Sequence, residues 1–66
     1  MNVEQPELLT PAQVAELLLV HPVTLARWRQ ERRGPPWIEV ESQIRYADSA
    51  VRAYLASRTQ GPHEAA

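Results

Sequence analysis

The 66-residue chain contains no cysteine and no lysine, and its longest unbroken apolar run is Leu17 to Val20. Without cysteine there is neither a disulfide framework nor a thiolate metal site, a composition that suits a reducing compartment. The apolar run is far too short to span a bilayer, and Met1 to Thr10 lacks the basic start and apolar stretch of a signal peptide. The expectation is a soluble intracellular protein without a membrane partner. Histidine is scarce too: His21 and His63 are the only two, and neither stands in a pattern that suggests a metal site or a nucleophile. Ser42, Ser49 and Ser57 read as turn and helix-surface residues. A domain of this size buries roughly 60% of the surface of its unfolded chain, which gives a thin core and no room for a deep catalytic pocket. No catalytic residue, metal or cofactor is expected, and the chain is not read as an enzyme.

The formal charge of −1 argues, by itself, against a nucleic-acid partner. Its distribution argues the other way. Every basic side chain is an arginine, and four of the seven, Arg27, Arg29, Arg32 and Arg33, fall between His21 and Gly34. That window carries +3, while the first twenty residues, with Glu4, Glu7 and Glu16, carry −3. Guanidinium groups offer a planar fork of donors that matches phosphate and guanine, where lysine would offer a point charge. The alternative for such a cluster is a solvated helix face.

Two helix starts stand close together in "TPAQVAELLLVHPVTLARWRQERRG". Thr10 can cap a helix, Pro11 suits its first position, and Gln13 can complete a capping box. Leu9 and Val14 are spaced as a hydrophobic staple, and Ala12, Ala15 and Leu17 to Leu19 supply an apolar stripe. Pro22 lacks the N–H needed to continue and biases His21 out of the helical region, so this helix ends near Leu18. Pro22 opens a second helix. With Leu25 at 0° and about 100° per residue, Trp28 falls near 300° and Arg32 near 340°, whereas Val23, Gln30 and Arg27 fall near 160°, 140° and 200°. One side is core; the other is Val23, Arg27 and Gln30, with Ala26 beside them. This is the pattern of a helix-turn-helix whose second helix enters the major groove. A plain helical hairpin is the structural alternative, and the arginine face counts against it.

Gly34, Pro35 and Pro36 stop the second helix, and "WIEVESQIRY" then reads as two strands, Trp37 to Val40 and Gln43 to Tyr46. Ile38 and Val40 alternate with Glu39, as Ile44 and Tyr46 do with Arg45, which suggests that these four apolar residues face the core. Glu41-Ser42 reads as the turn, though it lacks the glycine or asparagine a tight hairpin prefers, which leaves open a loop longer than two residues. Such a ribbon after a recognition helix is a wing, with Arg45 on its polar side. A third helix is expected from about Asp48, capped by that carboxylate, with Val51, Tyr54 and Leu55 on one face. From Thr59 the composition turns small and polar and reads as a disordered tail. The organisation is an N-terminal segment (1–8), a mostly α winged helix-turn-helix domain with a small β-hairpin (9–57), and a tail (58–66).

The order "LLTPAQVAELLLVHPVTLARWRQ", then Gly34, then a hairpin leading into "IRYADSAVRAYL", resembles the excisionase type of small winged-helix protein, relatives of the MerR-like DNA-binding domain. The resemblance covers Leu8 to Leu55. It rests on the threonine opening the first helix, the "TLARW" of Thr24 to Trp28, Gly34, and the Arg45-Tyr46 pair closing the wing. Where that family usually has a glycine before the second helix and a serine at its cap, this chain has Leu19 and His21.

The resemblance implies a non-catalytic recombination directionality factor. Such a protein binds attachment-site DNA of a phage or mobile element cooperatively, bends it, and directs an integrase toward excision. The implied partners are double-stranded DNA, an integrase or recombinase, and neighbouring copies of the chain, in the cytoplasm of a bacterial host. The candidate DNA contacts are Val23, Thr24, Ala26, Arg27, Arg29, Gln30, Arg32, Arg33 and Arg45. Arg32 and Arg33 read equally well as charges favoured by the helix dipole. Leu25, Trp28, Tyr46 and Tyr54 are assigned to the core. Two other readings stay open: a small MerR-like or repressor-type transcriptional regulator on the same fold, and an adaptor whose arginines meet an acidic protein.

Overall fold

The structure, a computed structural model, describes residues 7–61. Its elements run β1 (Leu8–Leu9), α1 (Pro11–Leu18), α2 (Pro22–Gln30), β2 (Ile38–Val40), β3 (Gln43–Ala47) and α3 (Asp48–Arg58). Three helices and an antiparallel sheet of order β1-β3-β2 make a winged helix-turn-helix. The core is Leu9, Val14, Ala15, Leu25, Tyr46 and Val51, with Leu18, Val20, Trp28, Trp37 and Ile44 packed around it. Of the expected terminal segment and tail, residues 1–6 and 62–66 lie outside the described residues.

The start of α1 is held by a reciprocal pair of bonds. The Gln13 N–H donates to Thr10 Oγ1 at 3.1 Å, and the Thr10 N–H donates to Gln13 Oε1 at 2.9 Å. Leu9 and Val14 are both buried, as the staple requires. The helix closes with Leu19 in the left-handed region (φ 57°): its N–H donates to the Glu16 carbonyl at 3.2 Å, and the Val20 N–H to the Ala15 carbonyl at 3.0 Å. That is a Schellman turn, with leucine where glycine is usual. His21 then caps α2 with its ring, Nδ1 accepting from the Val23 N–H at 3.1 Å. An imidazole nitrogen thus takes the place that a serine hydroxyl commonly fills at a helix start.

The end of α2 repeats the device. Arg32 takes the left-handed conformation (φ 59°), its N–H donating to the Arg29 carbonyl at 3.1 Å and the Arg33 N–H to the Trp28 carbonyl at 2.9 Å. Arg32 therefore lies beyond the helix, and the expectation that it falls at 340° on the helical wheel does not hold. Gly34 follows at φ 88°, and a Cβ there would stand 2.8 Å from Trp28 Cε3. The chain can turn back over the indole only because this position has no side chain.

Glu41-Ser42 is the hairpin turn, as expected, and the loop is no longer than these two residues: Glu41 (φ 49°) and Ser42 (φ 69°) both adopt the left-handed conformation that matches the twist of the strands. Three expectations about the wing and α3 are corrected. Ile38 and Val40 do not face the core, because this turn pairs Ile38 with Arg45 and Val40 with Gln43, and paired residues share a face of the sheet. The core side carries Ile44 and Tyr46 together with Glu39. Leu8–Leu9 adds a third strand that the sequence did not announce, Leu9 pairing with Tyr46 and Leu8 with Ala47. Finally, Asp48 does not cap α3. Because β3 runs straight into the helix, Ala47 occupies the cap position and makes no side-chain cap bond. Asp48 Oδ2 instead accepts from Arg52 Nε at 2.7 Å, which holds the Arg52 guanidinium above its ordinary value. Of the expected inner face of α3, Val51 is buried, Tyr54 is half-buried and Leu55 is exposed.

Candidate nucleic-acid interface

The segment Pro22–Gln30 has no acidic residue, carries Arg27 and Arg29 in its last turn, and packs on the core through Leu25. Leu25 is 1% exposed. On the far side Val23 is 64% exposed, and Arg27 and Gln30 are exposed with it. Three residues spaced i, i+4 and i+7 form one ridge along a helix, so an apolar contact, a guanidinium and an amide stand in a row. That is the chemistry of a major-groove reader: Arg to guanine, Gln to adenine, and Val to a thymine methyl. Thr24 and Ala26 are half-buried at the flanks of the ridge.

The remaining arginines are placed differently from one another. Arg29, about 40° from Leu25 on the helical wheel, is half-buried, and its Nη1 donates to the Tyr46 hydroxyl at 2.8 Å. Arg32 is exposed just past the helix end. Arg33 Nε bonds Glu31 Oε1 at 2.8 Å, and the guanidinium carbon lies 5.4 Å from the Trp28 ring centroid. An exposed pair of this kind contributes about 0–1 kcal/mol, and it ties Arg33 to the helix end. Arg45 is folded along its own strand, donating to the Ile44 carbonyl at 2.6 Å and to Gln43 Oε1 at 2.7 Å. Both partners are neutral, and no carboxylate among the described residues pairs with it.

Among the described residues only Arg33 and Arg52 are paired with carboxylates. The positive charge of Arg27, Arg29 and Arg32 on and beside α2 is therefore free to meet an anion. The structure brings Val23, Arg27 and Gln30 together as one ridge, with Arg32 and Arg33 at its C-terminal end. Arg29 is turned toward the sheet, and Arg45 lies on the sheet's outer face.

Two polar roles went unread in the sequence. By sequence Tyr46 belongs to the core alone, yet its hydroxyl anchors Arg29; the only signal is the general need of a buried phenol for a partner. His21 departs from a serine cap by sequence, although an imidazole nitrogen can accept the same backbone bond. Among the described residues no group of three or more His, Cys, Asp or Glu could hold a metal ion.

A family model described as a helix-turn-helix domain matches residues 8–59, from β1 through the end of α3. No curated protein matches the chain.

Proposed function

The chain belongs to the helix-turn-helix domain family and is a DNA-binding protein of that kind, and we propose that it is a non-catalytic excisionase. In this reading it occupies repeated sites in attachment DNA, bends the duplex with its neighbours, and biases an integrase toward excision in a bacterial cytoplasm. The observation that carries the proposal is how little reading surface one copy offers. The exposed ridge of α2 is Val23, Arg27 and Gln30, whereas tight specific complexes bury ~1,000–2,500 Å² of protein surface. Neighbouring copies or a partner must then supply the rest of the specificity, and a row of copies is the arrangement proposed here.

Two different surfaces suit head-to-tail contact between such copies. One is the groove of Leu9, Gln13, Glu16 and Leu17 beside α1; the other is the outer sheet face, with Leu8, Val40, Glu41, Gln43 and Arg45. Contacts between two different surfaces propagate along DNA without closing into a dimer. Among the described residues no helix is long and apolar enough to cross a membrane, which suits this setting.

Titration onto fragments with one, two and three sites tests the proposal. Cooperativity and bending should both grow with site number. A stable two-fold dimer that binds one palindrome without cooperativity would replace the excisionase by the transcriptional regulator.

A further inference from the structure

Among the described residues Tyr46 is the largest fully buried side chain. It ends in a hydroxyl, and a buried hydroxyl without a partner is costly. A phenylalanine would fill nearly the same volume without that requirement. The partner the fold provides is Arg29 of α2, seventeen residues earlier, through an Nη1 donor at 2.8 Å. No carboxylate among the described residues pairs with Arg29.

The choice of a phenol has a physical consequence. A carboxylate at this place would orient the guanidinium and also cancel its charge. A neutral hydroxyl orients it and leaves the charge intact. One of the five N–H donors is used, and the rest of the planar fork stays available. An arginine held in one rotamer, half-buried, with its charge uncompensated, loses less entropy on meeting a phosphate than a free arginine does. Phosphate contacts of this kind set the position of a protein on the duplex rather than reading sequence.

We infer that Tyr46 is a positioning residue for DNA binding: its hydroxyl holds Arg29 as a pre-set clamp for a backbone phosphate. The same bond ties β3 of the wing to α2, so that wing and recognition helix meet the duplex at a fixed mutual geometry. This rests on the DNA-binding reading of α2 and assigns Arg29 to phosphate instead of base contact.

The test uses the full chain and two short duplexes, one carrying a site selected from a random-sequence library and one scrambled. Tyr46→Phe should keep the circular dichroism of the parent. It should weaken binding to both duplexes alike, by roughly five- to tenfold, within the range expected for the cost of ordering one long side chain on binding. The salt slope should not change, because Arg29 keeps its charge. Nitrogen-15 relaxation of the Arg29 Nε–H should change from ordered to mobile. Arg29→Met should weaken both complexes further and lower the salt slope by about one. In that background Tyr46→Phe should have no added effect on affinity.

Wild-type affinity for Tyr46→Phe, an equal loss in the Arg29→Met background, or an unchanged slope for Arg29→Met overturns the inference. If Tyr46→Phe does not fold, Arg29→Lys decides with Arg29→Met. Lysine keeps the charge and the slope but loses the fork, so binding should weaken, and parental affinity overturns the clamp. A parent protein that shows no salt-dependent binding to any duplex would instead overturn the DNA-binding reading itself.

Discussion

Replacing Leu19 by glycine should make the protein more stable. Leu19 closes α1 at φ 57°, ψ 42°, where the Cβ of an L-residue crowds the following carbonyl at a cost of about 1–2 kcal/mol. Its side chain is 89% exposed, so only about a tenth of a leucine's burial energy is at stake, roughly 0.2–0.3 kcal/mol. Against the relief stands the extra freedom glycine gives the unfolded chain, about 0.5–1 kcal/mol. Taking mid-range values, the net is a gain of about 0.5 kcal/mol, or roughly 2–4 °C in Tm for a domain of this size.

Leu19→Ala is the control that isolates the cause. Alanine keeps the Cβ crowding and gives up the small burial, so it should not stabilise. Urea and thermal unfolding of the two variants, followed by circular dichroism, read the difference directly. The reasoning is refuted if alanine matches or exceeds glycine, or if Leu19→Gly melts below the parent. DNA affinity should be the same in all three proteins, because the Leu19 and Val20 backbone bonds that close the turn are kept.

Gly34→Ala should destabilise by about 2 kcal/mol, since it combines a left-handed backbone with a Cβ pressed on Trp28; a loss under about 0.5 kcal/mol in urea unfolding would mean that the indole yields freely. Thr10→Ala should cost about 1 kcal/mol and Thr10→Ser much less, because serine keeps the oxygen of the capping box; equal losses would point to the threonine methyl. Arg27→Ala should cost about 1–3 kcal/mol of binding and relax preference at one base position, whereas Arg45→Ala should weaken all duplexes alike and lower the salt slope by about one. Competition binding over a randomised site separates these two, and exchanged phenotypes would reverse the roles. Glu41→Asn with Ser42→Gly should stabilise by about 1 kcal/mol, since both positions are left-handed; a lower Tm for the pair would show that the native side chains hold the turn.

What was legible in the sequence is what neighbouring residues decide among themselves. Thr10, Pro11, Gln13 and Val14 are close enough in the chain to specify the start of α1, and Pro22 is enough to divide α1 from α2. The outward ridge of Val23, Arg27 and Gln30 follows from helical geometry once that start is known. Local information failed where the partner is remote. The two residues of β1 are a strand only because β3 passes beside them. Asp48 looks like a cap until the strand before it is seen to run directly into the helix. Arg29 looks like its neighbour Arg27 until Tyr46, seventeen positions away, takes hold of it.

The hairpin is a mixed case: the strand bounds and the Glu41-Ser42 turn read from the sequence give the register the chain adopts, while two local signals favour another. A three-residue loop would pair Val40 with Ile44 and turn Ile38 and Val40 to the core, as their alternation with Glu39 suggests. It would also relieve the requirement that Glu41 and Ser42 both be left-handed. In the structure Ile38 and Val40 stay 41% and 44% exposed. What offsets this is the residue before the strand. Trp37, like Ile44, packs against the core, and alternation along an extended chain then sends Ile38 to the other side. An indole carries more apolar surface than an isoleucine or a valine taken singly, so burying Trp37 offsets part of what the exposure of Ile38 and Val40 gives up. The same parity carries to β3, where the partner of Ile38 is Arg45. The arginine of the wing faces outward, toward anything that meets the sheet, because Trp37 faces in.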